Sequence, residues 1–157
     1  MANKKLTLKL VTPEKVVLQE EVDSLNCPTT TGHITILPGH APLISTLLSG
    51  ELLARTGGEV EPIAVTGGFV EVRPGNEVVV LADVAEHVRD IDLERAEQAR
   101  RVAAEAMRDR QLTSQEYAAL AASLQKNMTR IKVANKHRGK HGQSKGAMTN
   151  GMANTGH

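Results

Sequence analysis

Aromatic side chains are almost missing from these 157 residues: Phe69, Tyr117 and no tryptophan. That excludes an aromatic-lined ligand pocket, and it excludes the stacking platforms by which proteins read single-stranded nucleic acid. Any core has to be built from Val, Ile, Leu and Ala. Cysteine is equally scarce. Cys27 stands alone, so an internal disulfide framework and a cysteine metal cage are both excluded. Long apolar runs are missing too: residues 1–5 lead straight into an alternating stretch, which predicts neither a leader peptide nor a spanning helix. Nor is there a phosphate-binding loop, a dinucleotide fingerprint or an HExxH helix.

The overall charge is nearly balanced, 19 basic against 18 acidic residues, but it is unevenly spread. Residues 1–85 carry 6 basic and 10 acidic side chains, residues 86–134 carry 9 and 8, and residues 135–157 carry 4 and none. The periodicity changes at the same places. In the first block Leu6, Leu8 and Leu10 alternate with Thr7 and Lys9. Short β-branched runs follow, among them Ile34 to Leu37, Ile63 to Val65, Phe69 to Val72 and Val78 to Leu81. Thr31-Gly32, Pro38-Gly39, Ser49-Gly50, Gly57-Gly58, Gly67-Gly68 and Pro74-Gly75-Asn76 punctuate them. Short strands at regular spacing predict an all-β sandwich or barrel, and the lack of intervening helical patterns disfavours a parallel α/β fold.

The second block reads as helix. From Asp92 to about Arg108 there is neither Gly nor Pro, and alanine is abundant. Asp90 or Asp92 suits the N-cap. Residues 109–112 interrupt the pattern, then Thr113 with Glu116 forms a capping box. Tyr117, Leu120, Ala121, Leu124, Met128 and Ile131 follow at helical spacing as one apolar stripe. Two helices with a short connection predict an antiparallel hairpin with close-packed alanine faces. So thin a stripe is expected to lie on the β-domain or on a partner, since isolated helices are marginal in water. The last block has no Val, Ile or Leu, five glycines and three histidines, and is expected to be a disordered basic tail. Four cations on a flexible segment bind nucleic acid weakly, so no nucleic-acid partner is expected.

No catalytic constellation emerges. Cys27 before Pro28, with His33 the nearest imidazole, is the sole candidate nucleophile; a small core residue is the simpler reading. Two segments are more distinctive. In the stretch from Ile36 to Leu43, Pro38 and Pro42 bracket Gly39-His40-Ala41, a stiff loop suited to a preformed contact surface. In the stretch from Ala85 to Ala96, acidic residues lead into a helix that carries Arg95. With Lys126 and Arg130 four residues apart on the second helix, three cations could converge on a polyphosphate if the hairpin closes; solvated helix faces are the plainer alternative.

Taken with Thr66-Gly67-Gly68-Phe69-Val70-Glu71-Val72 and Val79-Val80-Leu81-Ala82-Asp83, these two segments closely resemble the epsilon subunit of bacterial F-type ATP synthase over about residues 6–133. The resemblance implies an α+β chain. A two-layer N-terminal β-sandwich of about ten strands, residues 1–86, would bind the gamma subunit and the c-ring. A helix–loop–helix, residues 87–134, and a disordered tail, residues 135–157, would follow. It implies a non-catalytic rotor subunit that couples proton flow to ATP synthesis, peripheral on the cytoplasmic face of the bacterial inner membrane and associated with the membrane through the complex alone. It implies a hairpin that folds down on the sandwich or extends along gamma to the alpha and beta subunits and inhibits ATP hydrolysis. His33, Leu37, Pro38, Gly39, His40, Ala41 and Pro42 would form the subunit interface, with His33 and Thr35 standing where an acidic residue is common in the family. The family's ATP-sensing motif falls on Ile91, Asp92, Arg95 and Ala96, joined by Glu86, Lys126 and Arg130. A regulatory ATP is thus the one ligand implied, no resident cofactor is expected, and an ATP-binding sensor module is the alternative reading.

Overall fold

The computed structural model describes residues 4–143. Ten strands come first: β1 (Leu6–Val11), β2 (Val16–Val22), β3 (Ser24–Thr29), β4 (Gly32–Ile36), β5 (Leu43–Thr46), β6 (Gly50–Thr56), β7 (Glu59–Thr66), β8 (Phe69–Arg73), β9 (Glu77–Leu81) and β10 (Val84–His87). A short 3-10 turn, Val88–Asp90, leads to α1 (Leu93–Ala106) and α2 (Ser114–Gln143). The strands make two five-stranded sheets, β2-β1-β9-β8-β5 and β10-β7-β6-β3-β4. All pairings are antiparallel except β1 with β9, which ties the first strand to the ninth. The α+β order of sandwich then hairpin is therefore as expected.

The sheets face each other across an aliphatic core. Leu6, Leu8 and Leu10 of β1 point inward with Val70, Val72, Val78 and Val80, and meet Leu25, Ile36, Leu52, Ile63 and Val65 of the other sheet. With no large rings to fill the gap, the layers interdigitate through β-branched and Leu side chains. Cys27 belongs to this core and is fully buried. Desolvation pushes its thiol from 9.0 up to about 12. The thiolate, the nucleophilic form, is thus withheld, and Cys27 is the small core residue of the simpler reading. Native chain at pH 8 should react with a thiol reagent about a hundredfold more slowly than chain unfolded in denaturant, which a colorimetric thiol titration reads directly. Because the folded thiol holds its proton to higher pH than the unfolded one, its contribution to stability is level below pH 9.0 and falls as pH climbs from there towards about 12.

Both helix starts are as the sequence predicts. Asp92 is the N-cap of α1, its Oδ1 accepting from the Arg95 amide at 3.2 Å. Thr113 and Glu116 cap α2 reciprocally, Thr113 N donating to Glu116 Oε2 at 2.8 Å and Glu116 N to Thr113 Oγ1 at 3.1 Å.

Two expectations for the hairpin need correcting. The stripe from Tyr117 to Ile131 is covered only in part: Tyr117 and Met128 are exposed, Leu120, Ala121, Leu124 and Ile131 are half-buried, and the residues of α2 that are fully buried among those described are Asn127, Val133 and Ala134. The seam with α1 is made by Ala96 and Ala103. Alanine lets the axes approach but is too small to cover long side chains, so Tyr117 and Met128 stay in solvent. Secondly, α2 does not end near residue 134 but continues to Gln143, through the start of the expected tail. Lys136, Arg138 and Lys140 are good helix formers, and cations suit a helix C-terminus. The rest of the expected tail lies outside the described residues.

Candidate functional site

The stiff loop of residues 37–42 carries the chain from β4 in one sheet to β5 in the other, across one end of the sandwich. It is held from two sides. His40 N donates to Leu37 O at 3.0 Å, closing a turn. Gly39 N donates to Asn76 Oδ1 at 2.7 Å, and Asn76 itself has φ 61° in the β8–β9 turn. His40 Nδ1 lies 2.7 Å from Ala41 O. A carbonyl can only accept, so Nδ1 carries the proton and Nε2 is left as the acceptor in the neutral ring. Leu37, Ala41 and Pro42 are exposed. His33 is also exposed but stands apart from the loop, joined instead to β3: its Nδ1 is 3.3 Å from Asn26 Oδ1, and Asn26 Nδ2 donates to Thr35 Oγ1 at 3.0 Å.

The outer face of the first sheet has an apolar row that the sequence reading did not single out. In register across it lie Val16, Val11, Leu81 and Phe69, on β2, β1, β9 and β8. Phe69 is 55% exposed, Leu81 50% and Val16 50%, and Ile44 on β5, two residues from the one paired with Phe69, is 71% exposed. Strand alternation could have found this row, since Phe69 and Leu81 each sit one position off the inward set. It could not have told an open face from a covered one.

The hairpin packs on the other sheet. Here β6, β7 and β10 place Glu51, Ala64 and Glu86 in one register row. Ala64 is 4% exposed. Arg130 of α2 holds Glu86 with two bonds, Nε to Oε2 at 2.7 Å and Nη2 to Oε1 at 3.1 Å. Its Nη1 donates to Asn127 Oδ1 at 3.1 Å, and Asn127 Nδ2 donates to Ser123 O. The buried amide of Asn127 thus fixes the guanidinium fork. Further along α2, His137 Nε2 lies 2.9 Å from Glu51 Oε2 and Lys136 Nζ 3.4 Å from Glu51 Oε1. Gln125 Nε2 reaches Ser49 Oγ at 3.3 Å. Among the expected ATP ligands the structure therefore joins Glu86 to Arg130. Ala96 is buried in the helix seam, Asp92 is taken up as a cap, and Arg95 is exposed. No ion pair involves Arg95 or Lys126 among the described residues.

A groove of about 840 Å3 opens beside this seam, lined by Glu61, His87, Arg89, Ile91, His137 and Arg138. His87 Nδ1 lies 2.8 Å from Glu61 Oε1, yet off the line of a hydrogen bond, which leaves the nitrogen buried without a partner. Glu51, Asn127 and His137 are the contact residues that sequence reasoning missed. A glutamate after Ser49-Gly50 looks solvated in any sequence, and His137 falls in the stretch whose composition reads as tail. Among the described residues no helix is long and apolar enough to cross a membrane.

Comparison with known proteins agrees with this architecture. The family described as ATP synthase, Delta/Epsilon chain, beta-sandwich domain matches residues 5–88, and its companion long alpha-helix domain matches residues 89–135. The ATP synthase epsilon chain of Dehalococcoides mccartyi is 47% identical over 139 residues, covering 88% of this chain and 98% of that one. The ATP synthase epsilon chain of Herpetosiphon aurantiacus is 46% identical over 129 residues, covering 82% and 93%. A chain in the Euglena gracilis mitochondrial ATP synthase, in a structure of its OSCP, F1 and c-ring, aligns with TM-score 0.61 at 20% identity, covering 87% of this chain and 81% of that one. At that identity the likeness speaks to the fold. Both domains, in order and nearly end to end, place the chain in the ATP synthase delta/epsilon family, as an epsilon chain.

Proposed function

We propose that this chain is a non-catalytic central-stalk subunit of an F-type ATP synthase on the cytoplasmic face of a bacterial inner membrane. In this reading the sandwich binds the gamma subunit and the c-ring, and the chain turns with the rotor and couples proton flow to ATP synthesis. The observation that carries it is the open apolar row of Val16, Val11, Leu81 and Phe69, on the sheet away from the hairpin. Exposed apolar area of this kind, running across one end of a sheet face, marks a docking surface. Gamma is the partner assigned to it. The loop of Leu37, Pro38, Gly39, His40, Ala41 and Pro42, with His33 on the adjoining strand, would meet the c-ring. Pinned by Asn76, it can bind without first being ordered.

The hairpin is the regulatory part. In its folded-down form it rests on a seam whose named contacts are polar, so undocking exposes little apolar area, and a second packing along gamma and the alpha and beta subunits lies within reach. There it would inhibit ATP hydrolysis. Removing residues 88–157 from the assembled complex should therefore speed ATP hydrolysis several-fold, measured as phosphate release by membranes. An unchanged rate would restrict the chain to coupling. Regulatory ATP is a secondary reading. Arg95, Lys126 and Arg130 would have to receive its phosphates beside Asp92, Ile91 and Ala96, and Arg130 is free to do so only when it leaves Glu86.

A further inference from the structure

We propose that the stretch of α2 just beyond the family's helical domain is a latch that holds the hairpin down, and that Glu51 is its catch. The inference rests on the reading above, in which the folded-down hairpin is the non-inhibitory form. The helical domain of the family matches residues 89–135; Lys136 and His137, the next two residues, both reach Glu51. The Glu51 side chain is 9% exposed. A carboxylate so nearly enclosed needs cationic or hydrogen-bonding partners close by, and its two side-chain partners among the described residues come from this extension. When the hairpin lifts, Glu51 returns to water and loses both.

The register gives the latch its leverage. Glu51 and Glu86 flank Ala64 in one row across β6, β7 and β10. Arg130 grips one glutamate, and Lys136 with His137 grips the other. The two grips are about two turns apart on α2, or about 10 Å along its axis. A helix fixed at two such points can neither pivot about Arg130 nor slide along the sheet. Held at Arg130 alone, it could peel from its C-terminal end. The apolar contribution between them is small, since Ala64, Val133 and Ala134 offer little area. The distal grip therefore sets a large share of the docking equilibrium.

The test uses the full chain with Ala64→Cys as a reporter beneath α2. A maleimide labels that thiol in proportion to the undocked population, while Cys27 stays silent in the core. Glu51→Gln, and separately removal of residues 136–157, should each speed labelling about fivefold. The two together should do little more than either, because they break the same contact. Circular dichroism on the same samples confirms that the sandwich is intact, and the truncation leaves every sandwich residue unaltered. Labelling rates unchanged in both variants would overturn the latch, as would full additivity of the two. In the assembled complex Glu51→Gln should slow ATP hydrolysis by extending the hairpin, opposite in sign to deletion of the whole hairpin. If deletion speeds hydrolysis and Glu51→Gln leaves it unaltered, the latch fails and the regulatory reading stands. If deletion has no effect while Glu51→Gln still speeds labelling, the latch stands and the regulatory reading fails.

Discussion

Replacing Gly68 by alanine should lower the melting temperature of the isolated chain by more than about 10 °C, a loss of about 3 kcal/mol or more. The position joins β7 to β8 with φ +110°, a conformation that L side chains rarely adopt. A Cβ built there would lie 1.9 Å from Leu81 O and 2.8 Å from Ala82 Cα. Both neighbours are backbone, so neither can swing aside by changing rotamer. Relief requires the end of β9 to move, and β9 is the central strand that pairs with β1 on one side and β8 on the other. Gly57 supplies the control. It also has positive φ, +59°, but nothing lies within 4 Å of its Cβ position. Gly57→Ala should cost only about 1 kcal/mol, the price of the left-handed backbone alone. Thermal unfolding followed by circular dichroism separates the two. Equal, small shifts would mean that the β7–β8 turn has more room than the structure gives it.

The Gly67-Gly68 pair also shows where sequence reading has its reach. Two glycines between β-branched runs predict a turn, and a turn is there. What the sequence could not convey is the backbone of Leu81 and Ala82 pressed against it, because that approach depends on the register of β8 on β9, in which Phe69 pairs with Leu81 and so sets Gly68 beside Ala82. The strand content was legible for a simple reason. With almost no aromatics, the core has to come from Leu6, Leu8 and Leu10, which keep a period of two, and from valine runs that are short, β-branched and bounded by glycine turns. Helix caps were legible because they are local: Asp92 and the Thr113–Glu116 box involve residues three apart. The hairpin's buried face was not. Tyr117 and Met128 look like core residues by type, whereas Asn127 looks like surface. Yet Asn127 is buried, because its amide is satisfied within its own helix and by Arg130. Polarity predicts exposure only when no partner is available, and the partner here lies three residues on and is itself held from another domain.

The same locality explains the candidate site. The loop of residues 37–42 was legible because two prolines and a glycine stiffen it from within. The Glu86–Arg130 pair, 44 residues apart, was named in two halves but with a different purpose, as ligands of one nucleotide. In the folded-down chain the halves satisfy each other. An ion pair enclosed to this degree keeps each charge committed to the other, and separating them returns two costly desolvated groups to solvent, a small net change. That balance is what lets a seam be firm and still reversible. A seam built from Tyr117, Leu120 and Met128 would have bound more tightly and released more slowly.

The docking face offers the sharpest test of the central-stalk reading. Phe69 and Leu81 stand directly opposite each other on β8 and β9. Phe69→Glu with Leu81→Lys replaces an apolar pair by an opposite-charge pair in the same register, a combination that antiparallel sheets tolerate well. Since both side chains are half-exposed in the isolated chain, 55% and 50%, the fold loses little, and the melting temperature should stay within a few degrees of the parent. Binding to gamma should suffer far more. Each buried large apolar side chain contributes about 1.5–3 kcal/mol to an association, and charging both leaves two desolvated ions in their place. The affinity of the chain for a gamma-containing rotor complex should fall at least about a hundredfold, read by co-purification and by titration calorimetry. The single variant Thr7→Lys, on the same sheet face but off the apolar row, should leave binding within about twofold. If the double variant folds and still binds like the parent, this face is not where gamma docks, and the row of Val16, Val11, Leu81 and Phe69 serves some other contact of the rotor.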